Sequence, residues 1–291
     1  MHKGFTVIAL SSIIAAALLS LRYPASWAIG MGLAGAAYGA LSSILHARGL
    51  LFVAGASPHV ALASAGISSL IVMDAGTAWL VLSLAIGVSI IMAAGYMIER
   101  GFNADDAAAF MASLSSTAAV LALYRLSAIG GDVAGLIIGD PLLVGVGELV
   151  VLSLSTLAII IALAVGGWRM IYIGMMREES LLGPTKSLAW SMILYLVLGL
   201  ATVGMLRIVG YVLEHVLLLL PGIIASQAVS GWRRGLAASA IIGLSASITG
   251  LIVAVNFDVS PSGASGAILV LLFLMAHVIR GGAPWRRGGS A

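Results

Sequence analysis

Apolar runs follow one another along the whole chain, separated by short stretches of charged, small or helix-breaking residues. Phe5 to Leu21 ends at Arg22-Tyr23-Pro24, and Ala25 to Leu45 ends at His46-Ala-Arg48. A third run begins at Ser57-Pro58, read as a helix start with Ser as N-cap and Pro at the first helical position, where its missing N–H costs nothing, and reaches Asp74. Gly76 to Ile98 is closed by Glu99-Arg100, and Asn103-Ala-Asp105-Asp106 caps a fifth run that extends to Leu123. The short segment Val133 to Ile138 leads through Gly139-Asp140-Pro141 into a sixth, which ends at Gly167. Ser187 to Leu206, Ile208 to Leu220, Leu236 to Val255 and Ala264 to Ile279 complete a set of about ten. A helix needs about 20 apolar residues to cross a bilayer, and most of these runs suffice. Ile208 to Leu220 falls short, so it either continues through Pro221 towards Ala225 or is a broken helix buried in a bundle.

Composition agrees with the pattern. Of 291 residues, 61% are hydrophobic and 9% charged, far from the roughly 25% charged residues of soluble domains. The fold class is therefore all-α, a polytopic membrane bundle forming one domain over residues 1–291. The first 22 residues form either an extra retained helix, favoured because no small-x-small cleavage pattern follows the run, or a signal peptide. With 36 glycines, the bundle is suited to close helix approach, and Gly35-xxx-Gly39 has the spacing for it. Cysteine is absent, which removes disulfides, thiolate metal sites and cysteine nucleophiles and leaves carboxylate, imidazole and carbonyl as metal ligands.

The charge is distributed by topology. With a cytoplasmic N-terminus, only Arg22, Arg125 and Arg207 of the 14 basic residues fall outside, a strong positive-inside bias. Ten spans then place both termini in the cytoplasm, with Gly281 to Ala291 as a basic tail. The net charge of +3 is a topology signal and carries no nucleic-acid footprint.

Ionisable groups at bilayer depth mark candidate function. Glu214 and His215 pair a carboxylate with an imidazole, donors suited to Zn or Mn, although adjacent helix positions point about 100° apart and cannot both face one ion squarely. The structural alternative pairs Glu214 with Arg207, seven residues back, while His215 donates to a backbone carbonyl. His59 is a second candidate, its alternative being a local bond in a helix's first turn. Asp140 either receives a cation at the outer side or caps the sixth helix. Glu148, two turns deeper, either lines a path or bonds a neighbouring hydroxyl. Asp105 and Asp106 are read as first-turn carboxylates at the positive end of a helix dipole.

The segment from Arg207 to Gly263 contains Val209-Gly210, a Leu-rich run from Leu217 to Pro221, Ala225, the basic turn Trp232-Arg233-Arg234, Gly250 and Asp258-Val-Ser-Pro261-Ser-Gly263. It resembles the C-terminal half of the manganese/zinc/iron permease family of ABC importers, with Ser260 inserted before the proline and only the ends of the family's Pro-Ala-Ala-Thr-Ala element kept. GLLFVAGASPHVALASAG resembles that family's Gly-Asp-x-x-Ser-His-Ala-x-Leu-Pro-Gly element, His59 and Leu62 matching. Here Gly55 stands where the family has Asp, so a hard oxygen ligand is missing. Asp140 resembles the family's Leu-Phe-Gly-Asp element, and Asp105-Asp106 its Glu-Asp-Ala-Ala element.

The resemblance implies a fold similar to the cobalamin and siderophore importers, a homodimer in the membrane, an extracellular metal-binding protein and a separate ABC ATPase. It implies no cofactor in the chain itself, a divalent metal as substrate, and a translocation path drawn from Glu214, His215, His59, Asp140 and Glu148. The basic loop from Pro221 to Arg234, with Pro221, Gly222, Arg233 and Arg234, is expected to seat the ATPase. No GxxxxGK[ST] loop occurs, so ATP is hydrolysed on another chain. An importer of a chelated metal or a non-metal substrate is the alternative. An intramembrane enzyme is more remote, since Asp105-Asp106 and Asp140 sit at helix ends on opposite sides and no His-Glu-x-x-His helix is present.

Overall fold

The computed structural model describes residues 2–72, 76–139, 146–175 and 183–279. Among these the chain is helical throughout, in the order α1 (His2–Ser20), α2 (Ala25–Ala47), α3 (Leu51–Ile71), α4 (Thr77–Glu99), α5 (Ala104–Ala128), the short α6 (Val133–Ile138), α7 (Val146–Met175), α8 (Gly183–Ala228), α9 (Trp232–Phe257) and α10 (Pro261–Ile279). Seven of them are long and apolar enough to cross a membrane unaided.

The long α8 is two helices in one. Gly210 inside it has φ 77° and ψ 153°, which no helix contains. The Tyr38 hydroxyl on α2 donates to the Ala201 carbonyl and also lies beside the Glu214 carboxyl. One end of α2 meets residues far apart in α8, with Arg48 bonded to Ser191 and Ser42 to Gly222. The chain therefore reverses at Gly210, and α8 supplies two antiparallel passes. Counting it twice, α1 to α5 and α7 to α10 correspond to the ten predicted apolar runs, although α1 is not among the helices long and apolar enough to span and α7 is bent. The break lies at Gly210 and not at the charged Arg207 that punctuates the sequence.

The turn is fitted against a partner. Both Gly139, which follows α6, and Gly210 have positive φ, and their backbones meet closely enough that a Cβ on either would overlap the other's main chain. The Val209 carbonyl, at the turn, accepts the Ser262 hydroxyl of α10 at 2.7 Å. Ser262 belongs to the Asp258-to-Gly263 turn, where left-handed Asp258 ends α9 and Pro261 opens α10.

Packing is closest between α2 and α9. Gly35, Gly39 and Gly243 bring the two backbones together, and the Ser239 hydroxyl donates across to the Gly39 carbonyl. The Gly35-xxx-Gly39 spacing thus marks a real interface, where small residues allow dispersion contact that lipid cannot supply. At the end of the bundle where α2 and α4 finish, Arg48 pairs with Glu99 at 3.1 Å and bonds Ser191 at 3.1 Å, tying α2, α4 and α8; these side chains are only 4% and 8% exposed.

The expectation for Pro58 is corrected, and the run ending at Pro221 takes the first of its two alternatives, continuation through the proline. Helix α3 begins at Leu51, so Pro58 lies inside it and Ser57 is no N-cap. The Ala54 carbonyl, left without a proline N–H, accepts the Ser57 hydroxyl at 2.9 Å. Likewise the second arm of α8 runs through Pro221 to Ala228. There Ser42 of α2 accepts the Gly222 N–H at 2.9 Å and donates to the Leu219 carbonyl at 3.2 Å. In both places a serine hydroxyl satisfies backbone groups near the proline, which is how membrane helices tolerate it. Asn103 does cap α5, accepting the Asp105 N–H at 2.8 Å.

Basic residues divide by end, as expected from their spacing. Arg48, Arg100, Arg169, Arg233 and Arg234 lie at one end of the bundle, and Arg22, Arg125 and Arg207 at the other.

Candidate functional site

Halfway along α3, the ninth residue of that helix, His59, faces α5 and the second arm of α8. Its Nδ1 lies 2.8 Å from the Ser116 hydroxyl and 3.1 Å from the Tyr211 hydroxyl, which is also 3.3 Å from Nε2. One turn beyond Tyr211, His215 donates from Nδ1 to the Tyr211 carbonyl at 3.0 Å, and its ring lies against the Gly55 backbone. The three rings form a compact cluster, with centroids 5.1 Å apart for His59 and His215, 5.2 Å for His59 and Tyr211, and 4.5 Å for Tyr211 and His215.

The rings of His59 and His215 meet edge to face, at a separation that two imidazoles sharing an ion would also have. With a metal–nitrogen bond of about 2.1 Å, each ring centroid stands about 3.2 Å from the ion, and a tetrahedral angle then separates the centroids by about 5.2 Å. The His215 ring is held between two backbone groups, the Tyr211 carbonyl and Gly55. Among the described residues, no three of His, Cys, Asp and Glu come together. The polar neighbours of the pair among the described residues are the Tyr211 and Ser116 hydroxyls.

Glu214 is placed elsewhere. It is fully buried, on the side of the helix that faces α2, beside the Tyr38 hydroxyl. The Tyr38 hydroxyl, whose own proton goes to the Ala201 carbonyl, is the polar group nearest the carboxyl. The proposed pairing with Arg207 does not form. The seven-residue spacing that put both on one face assumed a continuous helix, and the turn at Gly210 lies between them. The Arg207 guanidinium instead sits over the Trp79 ring, 5.3 Å from its centroid. Glu214→Gln is accordingly expected to leave uptake per folded molecule within about twofold, since the charge does not face the histidines. A tenfold fall in flux, measured with folded protein held equal, would return the carboxyl to the path.

Asp140 lies outside the described residues, as does the side chain of Glu148, whose backbone is in α7. Asp105 and Asp106 are at the exposed start of α5. The expected loop from Pro221 to Arg234 is mostly helix. Pro221 and Gly222 are buried, Gly222 so tightly against the Ser42 backbone that a Cβ would overlap it. Arg233 and Arg234 are exposed on the first turn of α9. Tyr211 and Ser116 escaped the sequence reading. Tyr211 had a signal, since it lies four residues before His215 and shares its face, whereas Ser116 is brought in by tertiary packing alone.

Residues 23–280 match the model of the ABC 3 transport family. The chain belongs to that family. It is a multi-pass membrane permease of the ABC transport class, as the resemblance of its C-terminal half implied. The fold is also similar to PsaBC from Streptococcus pneumoniae, solved with a Fab, at TM-score 0.74 and 17% identity over 91% of this chain and 95% of that one. An ABC transporter of metal-chelate type in an inward-facing conformation matches at TM-score 0.74 and 13% identity, over 96% of this chain and 100% of that one. No curated protein sequence matches the chain.

Proposed function

We propose that the permease imports a divalent metal ion past His59 and His215, working as a homodimer with a separate ATPase and an extracellular binding protein. The observation that carries this reading is the imidazole pair at mid-bundle, with rings 5.1 Å apart and one nitrogen of His215 held as a donor to a carbonyl. Two titratable side chains facing each other inside an apolar bundle mark a candidate functional site by position. The Arg48 and Arg234 end of the bundle is cytoplasmic by the positive-inside rule, so both termini are too. The ion enters from the opposite end, where Asp140 and then Glu148 are the carboxylates it meets first.

Coupling falls to the exposed start of α9. Arg233 and Arg234 project where α8 and α9 join, on a helix whose glycine contacts run directly into α2. A push on this end is transmitted along α9 to the core because Gly39 and Gly243 leave no compressible side chain between the backbones.

The experiment co-purifies the chain with its ATPase in liposomes and screens divalent metals for stimulation of ATP hydrolysis. Stimulation by a free metal supports the reading. Stimulation by a chelate alone moves the substrate to that class. Charge reversal at both Arg233 and Arg234 is expected to lower metal-stimulated hydrolysis by at least about tenfold while metal binding persists, as for loss of paired interfacial charges. Normal coupling in that variant would place the contact elsewhere.

A further inference from the structure

Tryptophans from three helices meet at the end of the bundle that carries Arg48 and Arg234. Gly166 and Gly167 of α7 provide the room. Trp190 of α8 fills the space where a Gly166 side chain would stand, and a Cβ on Gly167 would lie 3.7 Å from the Trp232 ring of α9. Just beyond, the Arg169 guanidinium covers two indoles, 5.1 Å from the Trp168 centroid and 5.1 Å from the Trp190 centroid, while its Nη1 donates to the Val165 carbonyl at 3.0 Å. Arg233 stands 5.2 Å from the Trp232 centroid. We propose that this cluster holds the phosphate of an anionic phospholipid whose acyl chains lie along α7.

The course of α7 identifies the occupant as a lipid. Leu154, Leu157, Ile161, Val165 and Trp168 are between 44% and 61% exposed and recur at the spacing of one helix face, continuing across the bend of α7. Their last member is a tryptophan, whose apolar body and polar N–H suit the headgroup level of a bilayer. Arg169 follows directly. A molecule that covers both the stripe and the cluster must be apolar along its length and anionic at its end. A soluble partner could reach the arginines, but it cannot cover Ile161 and Val165 inside the bilayer.

Charge narrows the class of lipid. Stacking occupies the faces of a guanidinium and leaves its in-plane N–H groups for a phosphate, which Arg meets with paired bonds. Arg169 and Arg233 both stack on indoles of the cluster. Between Met175 and Trp190 the sequence offsets Glu178 and Glu179 with Arg177 and Lys186, so this end stays basic. Basic pockets between helices at the cytoplasmic face favour anionic headgroups. A headgroup seated here joins α7, α8 and α9, whatever substrate the permease carries.

The test purifies the full chain in detergent, adds phosphatidylglycerol, phosphatidylcholine or glycerol phosphate, and follows retained molecules by native mass spectrometry. Phosphatidylglycerol is expected to be retained about tenfold or more over phosphatidylcholine, and to stay bound in about hundredfold excess glycerol phosphate. Arg169→Gln should lower phosphatidylglycerol retention about fivefold, as for loss of one basic residue near the headgroup, with the thermal midpoint of the lipid-free protein unchanged. Arg169→Lys keeps the charge and loses the paired N–H groups, so it should fall between the two, and it serves as the test if the glutamine variant does not fold. Arg100→Gln, at an exposed arginine of the same end outside the cluster, should leave retention unchanged. Equal retention of the two lipids, or an equal loss in Arg100→Gln, would show diffuse attraction and overturn the site. Displacement by glycerol phosphate would leave an anion site and overturn the lipid. Loss of the lipid on adding the ATPase subunit would make the cluster a protein contact, which also overturns the proposal.

Discussion

Gly210→Ala is expected to prevent assembly of the bundle, the largest single effect anticipated in this chain. Two independent penalties coincide there. A φ of 77° with ψ of 153° belongs to a region that is essentially glycine-only, costing about 1–3 kcal/mol for other residues. The added methyl would also strike the carbonyl of Ile138 and the N–H of Gly139, both main-chain atoms that cannot turn aside. Against a typical net stability of about 5–15 kcal/mol, the combined loss is large enough to leave little folded permease. The relevant measurement is the yield of monodisperse protein in detergent together with its thermal midpoint. Gly139→Ala should behave similarly, because it approaches the same contact from the other side. If Gly210→Ala purified normally with an unchanged midpoint, the reversal of α8 at that residue would be wrong, and with it the placement of Tyr211 against His59.

His59→Ala and His215→Ala are each expected to lower metal uptake at least about tenfold in liposomes, and the double variant should lose little more than either alone. Non-additivity is the informative part. Two imidazoles that hold one ion act as a unit, so removing the first already dismantles the site. Two histidines with separate structural roles would instead give independent losses, visible as lowered stability and not as lowered flux per folded molecule. The assay therefore reports uptake normalised to folded protein, with basal ATP hydrolysis as a second readout expected to stay near normal. Uptake unchanged in the double variant would retire the pair as a path element and leave its hydrogen bonds as packing.

Local sequence determines a good deal here, because in lipid the rules are few. Backbone groups must be paired within the chain, so long apolar runs can only be helices, and their count and charge asymmetry follow directly. The Asn103 cap, the Gly35 and Gly39 contact and the place of His215 inside an apolar run were legible on those grounds. The roughly 100° between neighbouring helix positions also warned that Glu214 and His215 would part company, although it did not say which would turn to the histidine across the bundle.

Tertiary structure decided the rest. Pro58 reads as a helix start, and Pro221 leaves open whether its run continues or breaks, because an isolated helix has nothing to replace a missing N–H. In the bundle, hydroxyls from Ser57 and Ser42 serve the affected backbone, so both helices continue. The sequence places a break at the charge of Arg207, but a guanidinium can rest on Trp79 without disturbing a helix, whereas reversing the chain needs φ above zero and hence Gly210. Once the chain turns there, residues 207 and 214 no longer share a face. Tyr211 and Ser116 reach His59 across separations of 152 and 57 residues, contacts that no local periodicity encodes. Periodicity along a helix fixes which side chains share a face, and only the packing of helices determines what that face meets.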